Sequence, residues 1–267
     1  MSDPGDPPEI RSPFARDALA GTRALVTGGS RGVGREVASY LGLHGASVVL
    51  TSRSLEQAEK TAAALREQGV DDVQGRELDV TSLDSITRLV DRLWENEAEV
   101  QILVNNAGIN IPQPALEVTQ EAWNTVLDVN LKGTFFMSQA VAQRWILAGR
   151  PGAIVNVASQ SGIVGIDLRA AYCSGKAGVI NLTRELALEW ASHRIRVNAV
   201  APTFVSTPMT RPMFEDEVFR QKVFSMIPAG RLAAVEEVAA AVMFLVTQGA
   251  PIVTGHTLVV DGGWTIH

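Results

Sequence analysis

Past residue 20 the chain alternates between two hydrophobic rhythms. Short runs rich in Val, Ile and Leu, namely "RALVT", "SVVLT", "DVQGREL", "VQILVN", "GAIVNV", "IRVNAV" and "HTLVV", have the length and content of buried strands. Between them, apolar residues recur at helical spacing. Val33, Val37 and Leu41 share one helix face, as do Leu83, Ile86, Val90 and Leu93. Besides the helix after the first strand, the spacing predicts helices over about 54–68, 82–96, 121–147, 170–192 and 235–248.

Strands that are apolar without alternation need cover on both faces, and strands joined by helices pair in parallel. The expected fold is therefore α/β, a doubly wound sheet of about seven parallel strands with helices on both faces. No Pro/Ser-rich linker, charge block or repeat interrupts residues 21–267, which are expected to form a single domain. Ahead of them, "MSDPGDPPEIRSPFARDALA" holds four prolines and little that could pack, so residues 1–20 read as a flexible N-terminal arm.

Composition narrows the partners. A chain of 267 residues, 46% of them hydrophobic, can bury one large core. A net charge of −6 argues against nucleic acid or an anionic membrane as a partner and leaves small molecules. Cys173 is the single cysteine, which excludes an intrachain disulfide and suits a reducing compartment. His44, His193, His256 and His267 lack metal-ligand spacing, so no metal is expected. With no long apolar span and no signal pattern, the expected location is cytoplasmic.

The chemistry begins after the first strand, at "TGGSRGVG", Thr27 to Gly34. Glycines at a strand-to-helix junction permit a sharp turn, approach of a diphosphate to the helix amides, and close helix packing. Gly28, Gly32 and Gly34 are assigned these duties, with Ser30, Arg31 and Val33 completing the cofactor loop. A dinucleotide fold usually ends its second strand on a carboxylate that binds ribose hydroxyls; here Ser52 and Arg53 stand there. An arginine pairs with a 2′-phosphate, so NADP(H) is favoured over NAD(H), with Arg31 as a second contact and NAD(H) kept open. Asp79 and Val80 follow the third strand, and Asn105, Asn106, Ala107 and Gly108 the fourth, where an open α/β sheet binds ligands. Taken singly, Asp79 also suits a helix N-cap and the asparagine pair a turn.

At this point the sequence resembles the short-chain dehydrogenase/reductase family over residues 21–266. The resemblance rests on "TGGSRGVG", "LDV", "NNAG", "VNL" at 129–131, "NVAS", "YCSGK" and "VDGG", in family order. It implies a single Rossmann-like domain, a nicotinamide cofactor, a homotetramer or homodimer, and a catalytic set of Asn130, Ser159, Tyr172 and Lys176. Ser159 precedes Tyr172 by thirteen residues, as in the family pattern. Tyr172 and Lys176 would also touch the cofactor, Lys176 through the nicotinamide ribose. After the sixth strand Thr203 stands where the family usually has glycine, and this "APTFVSTPM" looks like the xylulose-reductase and polyol-dehydrogenase branches. Pro202, Val205 and Thr207 are then the expected contacts to the nicotinamide end.

The catalytic set also has a reason in its own chemistry. Hydride transfer to a carbonyl creates an alkoxide, which needs a proton donor and a hydrogen bond to its oxygen. Tyr172 can donate, Ser159 can hold the oxygen, and Asn130 can anchor a water that passes protons to Lys176. Lys176 lies one helical turn from Tyr172, where its ammonium is expected to lower the phenol's pKa. The expected activity is NAD(P)(H)-dependent interconversion of a secondary alcohol and a ketone, with a polyol, ketose or small ketone as the substrate class and a 3-ketoacyl thioester as the alternative. An epimerase or dehydratase, or a non-catalytic dinucleotide-binding protein, are the readings from other classes. Residues 204–228, with Phe204, Met209, Met213, Phe214, Phe219, Phe224 and Met226, read as an irregular lid, and Gln160, Ser161 and Asp167 as partners for substrate hydroxyls.

Overall fold

Successive residues of the inner strands point to opposite faces of one sheet, and each face carries its own core. In the computed structural model, which describes residues 12–96, 99–207, 210 and 214–266, seven strands are resolved. They are β1 (Arg23–Val26), β2 (Ser47–Ser52), β3 (Val73–Glu77), β4 (Ile102–Asn105), β5 (Gly152–Val157), β6 (Ile195–Pro202) and β7 (Thr257–Val260). Their order is β3-β2-β1-β4-β5-β6-β7, and every pairing is parallel. The helices are α1 (Gly32–Leu43), α2 (Leu55–Glu67), α3 (Leu83–Asn96), α4 (Gln120–Leu127), α5 (Gly133–Ala148), α6 (Ala170–Trp190), α7 (Glu217–Ser225) and α8 (Val235–Val246).

One core joins Ala24, Val26, Val48, Leu50 and Val104 of the sheet to α1, α2 and α8. The other joins Leu25, Val49, Leu103 and Ile154 to α3, α5 and α6. Neighbours in sequence thus serve opposite layers, which is why these strands carry no polar face and why the doubly wound reading holds.

Three departures from the expected elements bear on function. The helix expected over 121–147 is divided into α4 and α5 by a π turn, Asp128–Lys132, which contains Asn130. Hydrophobic spacing does not reveal such a turn, because one wider turn leaves both flanking helices in the same apolar layer. Within the stretch expected to be irregular, α7 forms, with Asp216 Oδ1 accepting from the amides of Val218 (2.9 Å) and Phe219 (3.3 Å). Finally, Leu19 is buried and its amide donates to the His44 carbonyl at 2.9 Å, so packing begins upstream of Gly21. Residues 1–11 of the expected arm, and Met209 and Met213 of the expected lid, lie outside the described residues.

Candidate active site

β1 and β4 are neighbours, yet the chain continues from β1 toward β2 on one side and from β4 toward β5 on the other. Their C-terminal ends therefore flank the crevice of an open α/β sheet. Gly28 turns there with φ 63°, and a Cβ on it would lie 2.9 Å from the Cα of Ala107. Asn106 Nδ2 donates to the carbonyls of Thr27 (3.1 Å) and Gly28 (3.0 Å), so its side chain braces the glycine loop. Gly34 is packed under that same amide: a Cβ would collide with it and come within 2.5 Å of the Gly28 oxygen. Thr27, which the motif reading did not single out, accepts from the amides of Asn106 (3.0 Å) and Ala107 (3.1 Å). Its signal was a hydroxyl residue at the end of the first strand, directly before the glycines.

The loop fits a diphosphate. Helix α1 starts at Gly32 (φ 55°) behind an extended Arg31 that makes no side-chain cap, and no acidic residue occupies its first turn. Its first amides and the positive end of its dipole thus face the crevice without a competing carboxylate. Ser30 holds the loop against α2 by accepting the Thr61 hydroxyl at 3.1 Å, and Val33 is half-buried. Ser52 closes β2, followed by Arg53; Arg31 and Arg53 are exposed, and neither is paired with a carboxylate among the described residues. Asp79 forms a local turn, its Oδ1 accepting from the Thr81 amide (2.9 Å) and hydroxyl (2.7 Å). Val80 packs its backbone against Gly133 of α5, where a Cβ would lie 2.8 Å from the Val80 oxygen. Across the crevice, Pro202 ends β6, Val205 and Thr207 are buried beyond it, and the Thr207 methyl would lie 3.6 Å from a Cβ at Gly32. Thr203 is buried with an ordinary negative φ, and its Oγ1 has no hydrogen-bond partner.

Two of the four catalytic candidates, Asn130 and Lys176, lie beside Gly108. A Cβ there would lie 3.3 Å from Asn130 Oδ1 and 3.6 Å from Lys176 Nζ. Asn130 is fully buried in its π turn; its Nδ2 donates to the Ile109 carbonyl and its Oδ1 accepts from the Ile109 amide, each at 2.8 Å. Ser159, just past β5, accepts from the Ser161 amide at 3.1 Å, donates to Gln160 Oε1 at 2.9 Å and lies near the Tyr172 phenol. Lys176 is buried, donates to the Val157 carbonyl at 2.6 Å, and holds its Nζ 5.7 Å from the Tyr172 ring centre. Behind these groups runs a buried polar chain: Asn105 Nδ2 donates to Ser138 Oγ (2.8 Å) and Asn156 Oδ1 (2.9 Å), and Asn156 Nδ2 to Thr183 Oγ1 (2.9 Å). It ties β4 and β5 to α5 and α6, the elements that carry or flank the candidate side chains.

Burial of the phenol raises the Tyr172 pKa above its ordinary value, against smaller lowering contributions from the Ser159 hydroxyl and the Arg169 charge. The expected lowering by Lys176 is thus overturned: the ammonium is turned to the Val157 carbonyl, and desolvation outweighs it. Burial also lowers Lys176 to about 8. The nearby cation that favours the phenolate is Arg169, which the motif reading missed because it lies outside "YCSGK".

Of the residues expected to meet substrate hydroxyls, Gln160 and Ser161 are buried beside Ser159, whereas Asp167 is exposed and pairs with Lys222 of α7 at 2.6 Å. In the lid segment, Phe204 is buried against Phe214, Phe219 and Trp264, so these aromatics form a packed cluster. Phe224 meets the Phe214 ring edge-on, and Met226 is exposed.

Comparison with known proteins agrees with this arrangement. The family model described as adh_short_C2, enoyl-(acyl carrier protein) reductase, matches residues 28–265. The chain is 41% identical over 246 residues to an L-xylulose reductase of Mus musculus, spanning 92% of this chain and 97% of that one. It is 40% identical over 243 residues to the 3-oxoacyl-acyl-carrier-protein reductase FabG of Escherichia coli (strain K12), spanning 91% and 97%. A gluconate 5-dehydrogenase from Burkholderia cenocepacia J2315, solved in complex with NADP and tartrate, matches with a TM-score of 0.90 at 33% identity, over 95% of this chain and 99% of that one. Motif order, sheet topology and relatives matched along nearly their whole length lead to one conclusion: the chain belongs to the short-chain dehydrogenase/reductase family.

Proposed function

We propose that the protein interconverts a secondary alcohol and a ketone of the polyol or ketose type, using NADP(H) in preference to NAD(H). The observation that carries this reading is the grouping of Ser159 and Tyr172 with Lys176, which lies beside Gly108, next to a glycine loop that fits a diphosphate. When bound, the nicotinamide ring gives or takes the hydride. The chain supplies the rest. The glycine loop and the amides of α1 hold the diphosphate, Asp79 and Val80 the adenine end, and Val205 and Thr207 the nicotinamide end. Arg31 and Arg53 meet the 2′-phosphate.

In the reducing direction, the Tyr172 hydroxyl donates its proton to the oxygen that becomes the alcohol, while Ser159 holds that oxygen by a hydrogen bond. The raised pKa keeps Tyr172 protonated near neutral pH, ready to donate. The Arg169 charge favours the phenolate left behind; Asn130 anchors the water that passes protons to Lys176, from which the phenol is re-protonated. In the oxidising direction each transfer reverses. The L-xylulose reductase and gluconate 5-dehydrogenase relatives support a polyhydroxylated substrate.

The FabG relative favours a second reading, reduction of a 3-ketoacyl thioester. Following NADPH oxidation with a panel of ketoses and with an acetoacetyl thioester separates the two: turnover confined to the thioester refutes the polyol reading. No helix among the described residues is long and apolar enough to cross a membrane. A cytoplasmic homotetramer or homodimer is part of the proposal, supported by the exposed Leu147 and Leu188 on α5 and α6; sedimentation as a monomer would refute the assembly.

A further inference from the structure

Three segments that border the catalytic side chains meet at one residue. Arg169 immediately precedes α6, three positions before Tyr172. Its backbone bridges to Gln113 of the segment between β4 and α4, where the Gln113 amide donates to the Leu168 carbonyl at 2.9 Å. Its guanidinium stacks over the ring of Phe204, just past β6, at 4.9 Å from the centroid. Leu168 adopts φ 63°, a conformation uncommon for a branched side chain, so the turn that aims Arg169 is held by its surroundings.

The guanidinium is half-buried, and among the described residues it has no hydrogen-bond acceptor and no carboxylate partner. The nearest acid in sequence, Asp167, is occupied by Lys222. A stacked arginine with its edge free presents a planar fork of donors, the geometry that matches a carboxylate. Gln113, whose backbone bridges to Arg169, has a buried Oε1 without a partner, an acceptor suited to a substrate hydroxyl. Arg169 stands at the start of α6, three positions before Tyr172, which places a ligand on its free edge next to the turn that carries the phenol.

We propose that Arg169 reads a carboxylate on the substrate, so that the site favours hydroxy and keto acids of the sugar-acid type over neutral polyols of equal length. This rests on the alcohol–ketone reading above. It makes Arg169 a specificity residue as well as a charge that acts on the Tyr172 phenol.

The test compares kcat/KM for aldonic acids and for alditols of equal chain length in the wild type, Arg169→Gln and Arg169→Lys. The wild type is expected to prefer the acids. Arg169→Gln should cut the acid-to-alditol ratio by about 10- to 100-fold, mainly through KM, and Arg169→Lys by less. Calorimetric titration with tartrate, an unreactive dicarboxylate probe, should show binding to the wild type and a matching loss in Arg169→Gln. If both series fall by the same factor in Arg169→Gln, Arg169 acts through Tyr172 alone and the proposal is overturned while the dehydrogenase reading stands. Equal use of acids and alditols by the wild type overturns it in the same way. Absence of cofactor reduction with every member of both series overturns the dehydrogenase reading itself, and the proposal with it.

Discussion

Lys176 holds its ammonium 5.7 Å from the centre of the Tyr172 ring while donating to the Val157 carbonyl at 2.6 Å. The pair spans one turn of α6 with Lys176 buried beneath the more open tyrosine, so the helix sets a phenol above a desolvated amine.

Replacing Tyr172 with Phe removes the hydroxyl and keeps the ring. Turnover should fall by about 100- to 10,000-fold, the usual worth of a positioned acid or base, while NADPH binding followed by fluorescence is largely retained. Unchanged turnover would remove Tyr172 from its role.

The lowered pKa of Lys176 couples to stability. Unfolded, the side chain keeps its proton up to its ordinary value of 10.5; folded, it loses the proton near 8. Between those values the unfolded chain binds more protons, so the contribution of Lys176 to stability rises with pH across that window. Denaturant unfolding should show the wild type gaining roughly 2 kcal/mol relative to Lys176→Met between about pH 7 and 9.5. Parallel pH profiles for the two proteins would contradict the burial argument.

Arg53 has no partner carboxylate among the described residues and stands where a dinucleotide fold often carries an acid. Arg53→Asp should weaken NADP(H) by about 10- to 100-fold or more and NAD(H) far less, with the wild-type preference declining as salt is added. Dissociation constants for both cofactors decide this, and equal effects on the two would exclude the phosphate contact.

Gly34 lies beneath the Asn106 amide. Gly34→Ala overpacks that contact and should cost about 1–3 kcal/mol of stability, with a loss of cofactor affinity as the loop shifts. A melting curve and a cofactor titration indistinguishable from the wild type would show that the packing is looser than described.

The parallel sheet, its two helical layers, the glycine loop and the Ser–Tyr–Lys set were legible in the sequence because each rests on local rules. Continuous apolar runs imply cover on both faces, glycines mark a turn before a helix, and a spacing of four residues puts two side chains on one helix face. Asn130 was legible only through the family motif; its π turn was not, since an added residue in a helix changes no hydrophobic count. Helix α7 escaped for a related reason. Its apolar residues pack into a cluster with Phe204 and Trp264, which are near it in space and not in the periodic pattern.

The sequence by itself determined the candidate site residues and in what order the chain delivers them to the C-terminal ends of the strands. Tertiary structure decided what each group meets there. It turned Lys176 toward Val157 and made burial outweigh charge at Tyr172, and it engaged Asp167 with Lys222 while leaving Arg169 stacked on Phe204 without an acid. Desolvation and pairing depend on neighbours that are distant in the chain, and only the packed fold brings those neighbours together.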